Sequence, residues 1–207
     1  MKAIIFDVDN TLIDWKDEFV FALRNLLKEI YPNISEDEIL KIDKVIDENE
    51  KYLKSLNKKE FLEYIRNKCK INFSDDFVDK LIIAQGNCVY EDEELNKTIE
   101  YLSSKYDLYV ISNWFTKTQQ LRLEKMGILK YFKNVWGADT NYFKPDVKAF
   151  DVILKHYNKE ECVYIGDKLD IDIIPALNFG MNAIWKTNEV SDKYKTIRNI
   201  NELRNIF

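Results

Sequence analysis

Two aspartates, Asp7 and Asp9, close the apolar run AIIF with only Val8 between them. Carboxylates this close repel each other and are costly to bury, so the pair needs something that offsets its charge. The same arrangement of greasy run and polar end recurs three times. LYVI is followed by Ser112 and Asn113, NVWGA leads to Lys144 in TNYFKPD, and CVYIG leads to Asp167, Asp170 and Asp172. Ligands of open parallel sheets bind beyond the carboxyl ends of the strands, so neighbouring strands would deliver all these groups to one edge. Carboxylates at two points can hold a hard divalent cation such as Mg2+ through oxygen. A serine hydroxyl and a lysine ammonium can hold phosphate oxygens. A carboxylate beside the held phosphorus can attack it. A second carboxylate can then protonate the leaving oxygen and later take a proton from water. A bound cation would answer the repulsion between Asp7, Asp167 and the phosphate.

The elements that must position these groups follow from the pattern. Strands are expected at 3–6, 108–112, 134–138, 162–166 and 182–186, each unbroken and apolar as suits parallel strands covered on both faces. Helical spacing separates the last four, over 92–104, 116–126, 146–157 and 170–179, with Gly127 and Gly180 placed to end the second and fourth. A short helix at 199–206 would pack on the sheet edge. This alternation predicts an α/β fold with a doubly wound, Rossmann-like parallel sheet core. Residues 15–89 carry no strand pattern. They read as an inserted all-helical cap domain of four helices. The first, 16–30, places Phe19, Leu23, Leu26, Leu27 and Ile30 on one face. The second opens on a capping box of Ser35 and Glu38 and runs through Tyr52 and Leu53. The others start near Asn57 and Ser74. The expected division is a catalytic core of 1–14 and 90–207 with a cap of 15–89 inserted after the first strand.

Composition narrows the class. The chain has 207 residues, net charge −5 with both signs interspersed, and 46% hydrophobic residues. That is a soluble globular pattern without the basic face that nucleic acid needs. No run approaches the roughly 20 apolar residues of a membrane span, and Lys2 before a strand does not read as a signal peptide. Cys69, Cys88 and Cys162 form no paired framework, which suggests a reducing, cytoplasmic setting. The single histidine, His156, has no nucleophile pattern around it. A calcium loop at DVDNT would need glycine where Leu12 stands.

The quoted residues resemble the four signature motifs of the haloacid dehalogenase superfamily, in order and over essentially the whole chain. DVDNT matches DxDxT, Ser112 the second motif, Lys144 before Pro145 the third, and GDKLDID the fourth. The helical insert is similar to that family's small cap class. The resemblance implies Asp7 as a nucleophile forming an aspartyl-phosphate and Asp9 as general acid and base. It implies phosphate binding by Thr11, Ser112, Asn113 and Lys144, with Thr11 also supporting the nucleophile loop. It implies Mg2+ on Asp7, on the backbone carbonyl of Asp9 and on Asp167, with Asp172 behind them or orienting Lys144. Departures are Asn10, Lys168 and Ile171, where many members carry Gly, Ser or His, and Asn. Asn tolerates unusual backbone angles. Asp170 competes with Asp172 for the supporting position and also reads as a helix cap. Trp15 and Trp114 directly follow the first two motifs and are placed to line the pocket entrance.

Halide leaves unprotonated, so the presence of Asp9 favours an alkoxide leaving group and phosphate-ester hydrolysis. A phosphomutase, a 2-haloacid dehalogenase or a non-catalytic partner-binding protein of the same fold are the alternatives. A cap of about seventy-five residues would close over a small phosphorylated metabolite such as phosphoglycolate, a sugar phosphate or a nucleotide. Oligomeric state is not legible.

Overall fold

A computed structural model describes residues 1–14, 16–88 and 92–207, with the backbone alone at Lys16 and Asp17. Trp15 and both expected cap boundaries fall on or beside residues outside that range. Six strands form one parallel sheet in the order β3-β2-β1-β4-β5-β6. They are β1 (Ala3–Phe6), β2 (Asp107–Ile111), β3 (Phe132–Trp136), β4 (Cys162–Gly166), β5 (Asn182–Lys186) and β6 (Thr196–Ile197). Alternate side chains enter two cores. Ile4, Phe6, Val110 and Ile165 pack on one face with α5 (Glu93–Ser103) and α6 (Thr116–Lys125), and Ala3, Ile5, Ile111 and Tyr164 on the other. Both faces are covered, which is why the strands read as continuous apolar runs.

Register fixes the functional edge. Phe6 pairs with Val110 on one side and Ile165 on the other, so β1, β2 and β4 end level. Asp7 and Ser112 step off those ends, their N–H groups held by Ile165 and Trp136 carbonyls at 2.9 and 2.9 Å. The third strand lies two residues earlier than the expected 134–138, at both ends: Phe132 pairs with Leu108 and meets the Phe6 ring edge to face, 6.1 Å between centroids, and Trp136 is its last residue. Gly137 then turns the chain where a Cβ would lie 2.3 Å from backbone atoms of Trp114 and Thr116.

The insert contains α1 (Lys16–Ile30), α2 (Glu36–Asp47), α3 (Lys58–Cys69) and α4 (Phe77–Gly86), around one apolar cluster that Trp114 and Phe115 join from the core. The Ser35–Glu38 capping box is formed. The second helix stops before Tyr52, contrary to expectation. Asn49 donates from its side chain to the Ile46 carbonyl at 2.7 Å and opens a 3-10 turn over Asn49–Lys51. Two further expected helices differ. Residues Val147–Lys155 wind as a tighter 3-10 helix that still buries Ala149, Phe150 and Ile153; side-chain spacing alone does not separate the two windings. The segment 170–179 begins as a wide π turn, Leu169–Ile173, before α7 (Ile174–Phe179). The C-terminal 199–206 segment is also 3-10, Ile200–Asn205, and docks on α5 with a Thr98–Asn201 hydrogen bond of 2.7 Å. The two-residue β6 carries too short a pattern to be read from sequence. Gly127 and Gly180 take positive φ of 72° and 101° beyond their helices.

The wide turn and Gly166 belong together. A Cβ on Gly166 would sit 2.5 Å from the Asp172 side chain. Gly166→Ala must therefore displace Asp172 or the strand, and a loss of about 1–3 kcal/mol is expected. Chemical denaturation of the two proteins checks this; equal stability would show the Asp172 placement to be soft.

Candidate active site

The site is organised around a buried ammonium. Lys144 is 2% exposed, and its Nζ donates to Asp7 Oδ1 at 2.8 Å, to Asp172 Oδ1 at 2.6 Å and to the Tyr164 hydroxyl at 2.7 Å. Tyr164 in turn donates to the Ile111 carbonyl at 3.0 Å. Burial alone would depress the lysine, but Asp172 and Asp7 override it and hold Lys144 well above its ordinary range. Asn113 clamps the lysine backbone from both sides. Its Oδ1 accepts the Lys144 N–H at 2.8 Å and its Nδ2 donates to the Lys144 carbonyl at 2.8 Å. The Lys144–Pro145 peptide is cis.

Two carboxylates share that one cation, and a third stands close. Oxygens of Asp7, Asp167 and Asp172 lie within 4.8 Å of one another. Burial foremost, with Asp172, Asp9 and Asp167 adding to it, pushes Asp7 up to about 8 against the pull of Lys144. Burial, then Asp172, pushes Asp167 up to about 6. Hard oxygen donors packed until they resist ionisation fit a divalent cation, which would relieve both.

The structure brings Asp7, Lys144, Asp167 and Asp172 together, and Asp9 and Asn113 border the same cleft. Thr11 and Ser112 are buried behind it. Thr11 donates to Asp7 Oδ2 at 3.3 Å, and Ser112 Oγ accepts from Gln119 at 2.9 Å and from the Trp114 N–H at 3.3 Å. Burial separates the two acids of the fourth motif: Asp172 is 1% exposed and also accepts the Lys168 N–H at 3.0 Å, whereas Asp170 faces solvent. Nor does Asp170 cap a helix; Lys168 precedes the wide turn. Asn10 sits at φ 60°, the angle that Asn accepts readily. Trp114 borders the cleft with 3% exposure, its indole N–H donating to Gln85 of α4 at 3.1 Å.

The Asp9 carboxylate is bound by side chains of α6. It accepts from Gln119 Nε2 at 2.6 Å and from Arg122. Arg122 is fully buried, donates also to the Asp14 carbonyl at 3.2 Å, and stacks 4.6 Å over the Phe19 ring of α1. Sequence reasoning missed Gln119, Arg122, Tyr164 and Lys186, whose ammonium holds the Asn10 and Thr11 carbonyls at 2.8 and 3.0 Å. A usable signal was present for one of them: Tyr164 places a hydroxyl inside an otherwise apolar strand.

A parallel α/β sheet with carboxylates and a lysine at its carboxyl edge, under a helical cap, defines the class of molecule. The family model for haloacid dehalogenase-like hydrolases matches residues 4–186, and the chain belongs to that family. Pyrimidine 5'-nucleotidase PynA of Streptococcus pneumoniae is 28% identical over 200 residues, 89% of this chain and 83% of that one. Glyceraldehyde 3-phosphate phosphatase of Methanothermobacter thermautotrophicus is 28% identical over 208 residues, 93% and 88% of the two chains. Among solved structures, the magnesium-bound HAD-hydrolase YfnB of Bacillus subtilis superposes with a TM-score of 0.78 at 21% identity, covering 99% of this chain and 97% of its own. No helix among the described residues is long and apolar enough to cross a membrane.

The charge balance has a measurable sign. Asp7 in the folded, metal-free protein is raised above its ordinary value of 3.8 to about 8. Stability from such a group is complete below the ordinary value and is lost as pH rises through the folded one. In EDTA near pH 8, Asp7→Asn should therefore raise the melting temperature, by several degrees for a gain of about 1–2 kcal/mol. The gain should shrink as the pH falls toward 5. Lys144→Met should move the other way by about 3–5 kcal/mol, since it strands buried carboxylates. Thermal unfolding against pH checks both; a destabilised Asp7→Asn at pH 8 contradicts the balance described.

Proposed function

We propose that this chain is a Mg2+-dependent phosphoric-monoester hydrolase that acts on a small phosphorylated metabolite through an aspartyl-phosphate on Asp7. The observation that carries the reading is the separation of two aspartates only two residues apart. Asp7 lies buried against Lys144 and the acidic cluster, and Asp9 is held apart by Gln119 and Arg122 at the border of the same cleft. Paired carboxylates in contrasting environments suit opposite roles, nucleophile and proton carrier.

In the first step an Asp7 oxygen bonds to phosphorus, the ester P–O bond breaks, and Asp9 gives its proton to the departing alcohol oxygen. In the second, water attacks phosphorus, Asp9 takes the water's proton, and phosphate leaves Asp7. Lys144 supplies positive charge to the transferring phosphoryl group, and Thr11 steadies Asp7 through its 3.3 Å hydrogen bond. Ser112 is assigned to the phosphoryl site as well. Asn113 serves it by fixing the Lys144 backbone. Asp7 and Asp167, with the Asp9 carbonyl, would hold the cation, and Asp172 would keep Lys144 in place. When bound, that cation screens the repulsion between the nucleophile and the phosphoryl oxygens.

Relatives named as a pyrimidine 5'-nucleotidase, glyceraldehyde 3-phosphate phosphatases and a phosphoglycolate phosphatase support ester hydrolysis, and the magnesium in YfnB supports the metal. The dehalogenase reading gains nothing from Asp9, because halide needs no proton. Residues 15–89 are assigned as the cap and 1–14 with 90–207 as the core. The interdomain movement described for YfnB supports a cap that moves on the core.

Phosphate release from a panel of phosphomonoesters tests the proposal. Activity should require Mg2+ and vanish in EDTA. Asp7→Asn should abolish it, and Asp9→Asn should lower kcat by about 10²–10⁴. Turnover indifferent to EDTA and to both substitutions would overturn it.

A further inference from the structure

The cleft above the acidic cluster has a volume of about 390 Å3, the size of a small-molecule site. Its floor is the core edge, and the facing wall belongs to the insert: Val20 of α1, Asp43 and Asp47 of α2, then Asn49 and Glu50 in the following turn. The four polar side chains among them all carry an acceptor oxygen. Asn49 is 3% exposed, its Nδ2 is committed to the Ile46 carbonyl, and its Oδ1 has no hydrogen-bond partner among the described residues. A buried acceptor left unsatisfied is costly, and a ligand donor would remove that cost. Asp47 and Glu50 are exposed. Enough protein nonetheless surrounds Glu50 that burial raises its carboxyl, against the pull of Lys168 and a hydrogen bond with Asn113.

Charge points the same way. Of the two lysines that border the cleft, Lys144 is spent on Asp7 and Asp172, which leaves Lys168 at the rim. The floor carboxylates and the phosphate would take up the whole charge of a bound divalent cation, so none of it is left to offset the wall. The remaining wall is acidic, and a second anion on the substrate would face like charge there.

We propose that the alcohol portion of the substrate is rich in hydrogen-bond donors and carries no second anionic group, its hydroxyl or ammonium groups being read by Asp47, Asn49 and Glu50. The inference rests on the phosphomonoesterase reading and narrows it. It sets the chain apart from any relative built for an ester whose alcohol bears a carboxylate, because here the wall that would meet that carboxylate repels it.

The test compares kcat/KM for four esters with Mg2+ at neutral pH: p-nitrophenyl phosphate, glycerol 1-phosphate, phosphoethanolamine and phosphoglycolate. One or both of the donor-bearing esters should exceed phosphoglycolate by about tenfold or more, the scale of one like-charge contact. Their mutual ranking tells hydroxyl from ammonium. In the double variant Asp47→Asn, Glu50→Gln the preference over phosphoglycolate should shrink severalfold, chiefly through KM. Turnover of p-nitrophenyl phosphate with phosphoglycolate equal or preferred overturns this inference and leaves the phosphatase reading standing. So does a preference that the double variant leaves unchanged. No release from any of the four esters overturns the phosphatase reading and the inference with it.

Discussion

One buried ammonium shared between two carboxylates is the constraint on which the site depends. Lys144 lies 2.8 Å from Asp7 and 2.6 Å from Asp172, with all three almost wholly out of solvent. A buried charge survives only when paired and hydrogen-bonded, so each element that reaches this point is tied to the others. β1 delivers Asp7 and the wide turn after β4 delivers Asp172. Gly166 has no side chain because Asp172 occupies the space a Cβ would take. Asn113 and Tyr164 hold the lysine at both ends, backbone and ammonium. Two negative charges to one positive, with Asp167 beside them, leave the cluster short of positive charge. A divalent cation would supply it, and a site for one would account for paired aspartates at the end of a greasy strand.

The second consequence is a division between Asp7 and Asp9. A side chain two residues farther on leaves the lysine's reach and is taken up by α6, through Gln119 and Arg122. Gln119 donates to Ser112 as well, so one amide couples the first and second motifs. Arg122 lies against Phe19 of the insert, and Trp114 joins the insert's apolar cluster while bordering the cleft. The residues that hold Asp9 therefore touch the helices that roof the site. Packing between insert and core and the placement of the Asp9 carboxylate are parts of one contact surface.

Much of this was legible in the sequence. β1, β4 and β5 were readable to the residue because strands covered on both faces leave an unbroken apolar run. Asp7 and Asp167 were readable because each directly follows such a run; Lys144, well beyond the end of β3, was readable only from its place before Pro145 in FKPD. The remainder depends on distance through space. Asp9 and Arg122 are 113 positions apart, and no local pattern announces their pairing. Asp170 and Asp172 differ only in the winding of a five-residue turn, which decides which of them faces the lysine. The helix expected to run past Asp47 stops because a single Asn49 side chain caps the Ile46 carbonyl, an event that apolar spacing does not encode. The same asparagine then faces the cleft.

In the proposed reaction the phosphoryl group is transferred twice, to Asp7 and then to water. Each in-line displacement inverts the configuration at phosphorus. Hydrolysis of a phosphorothioate monoester made chiral at phosphorus with oxygen-18, run in water enriched in oxygen-17 and followed by determination of the configuration of the released thiophosphate, therefore tests this most directly. Two transfers predict overall retention. Inversion would mean that water attacks the ester in one step and would contradict a nucleophilic Asp7.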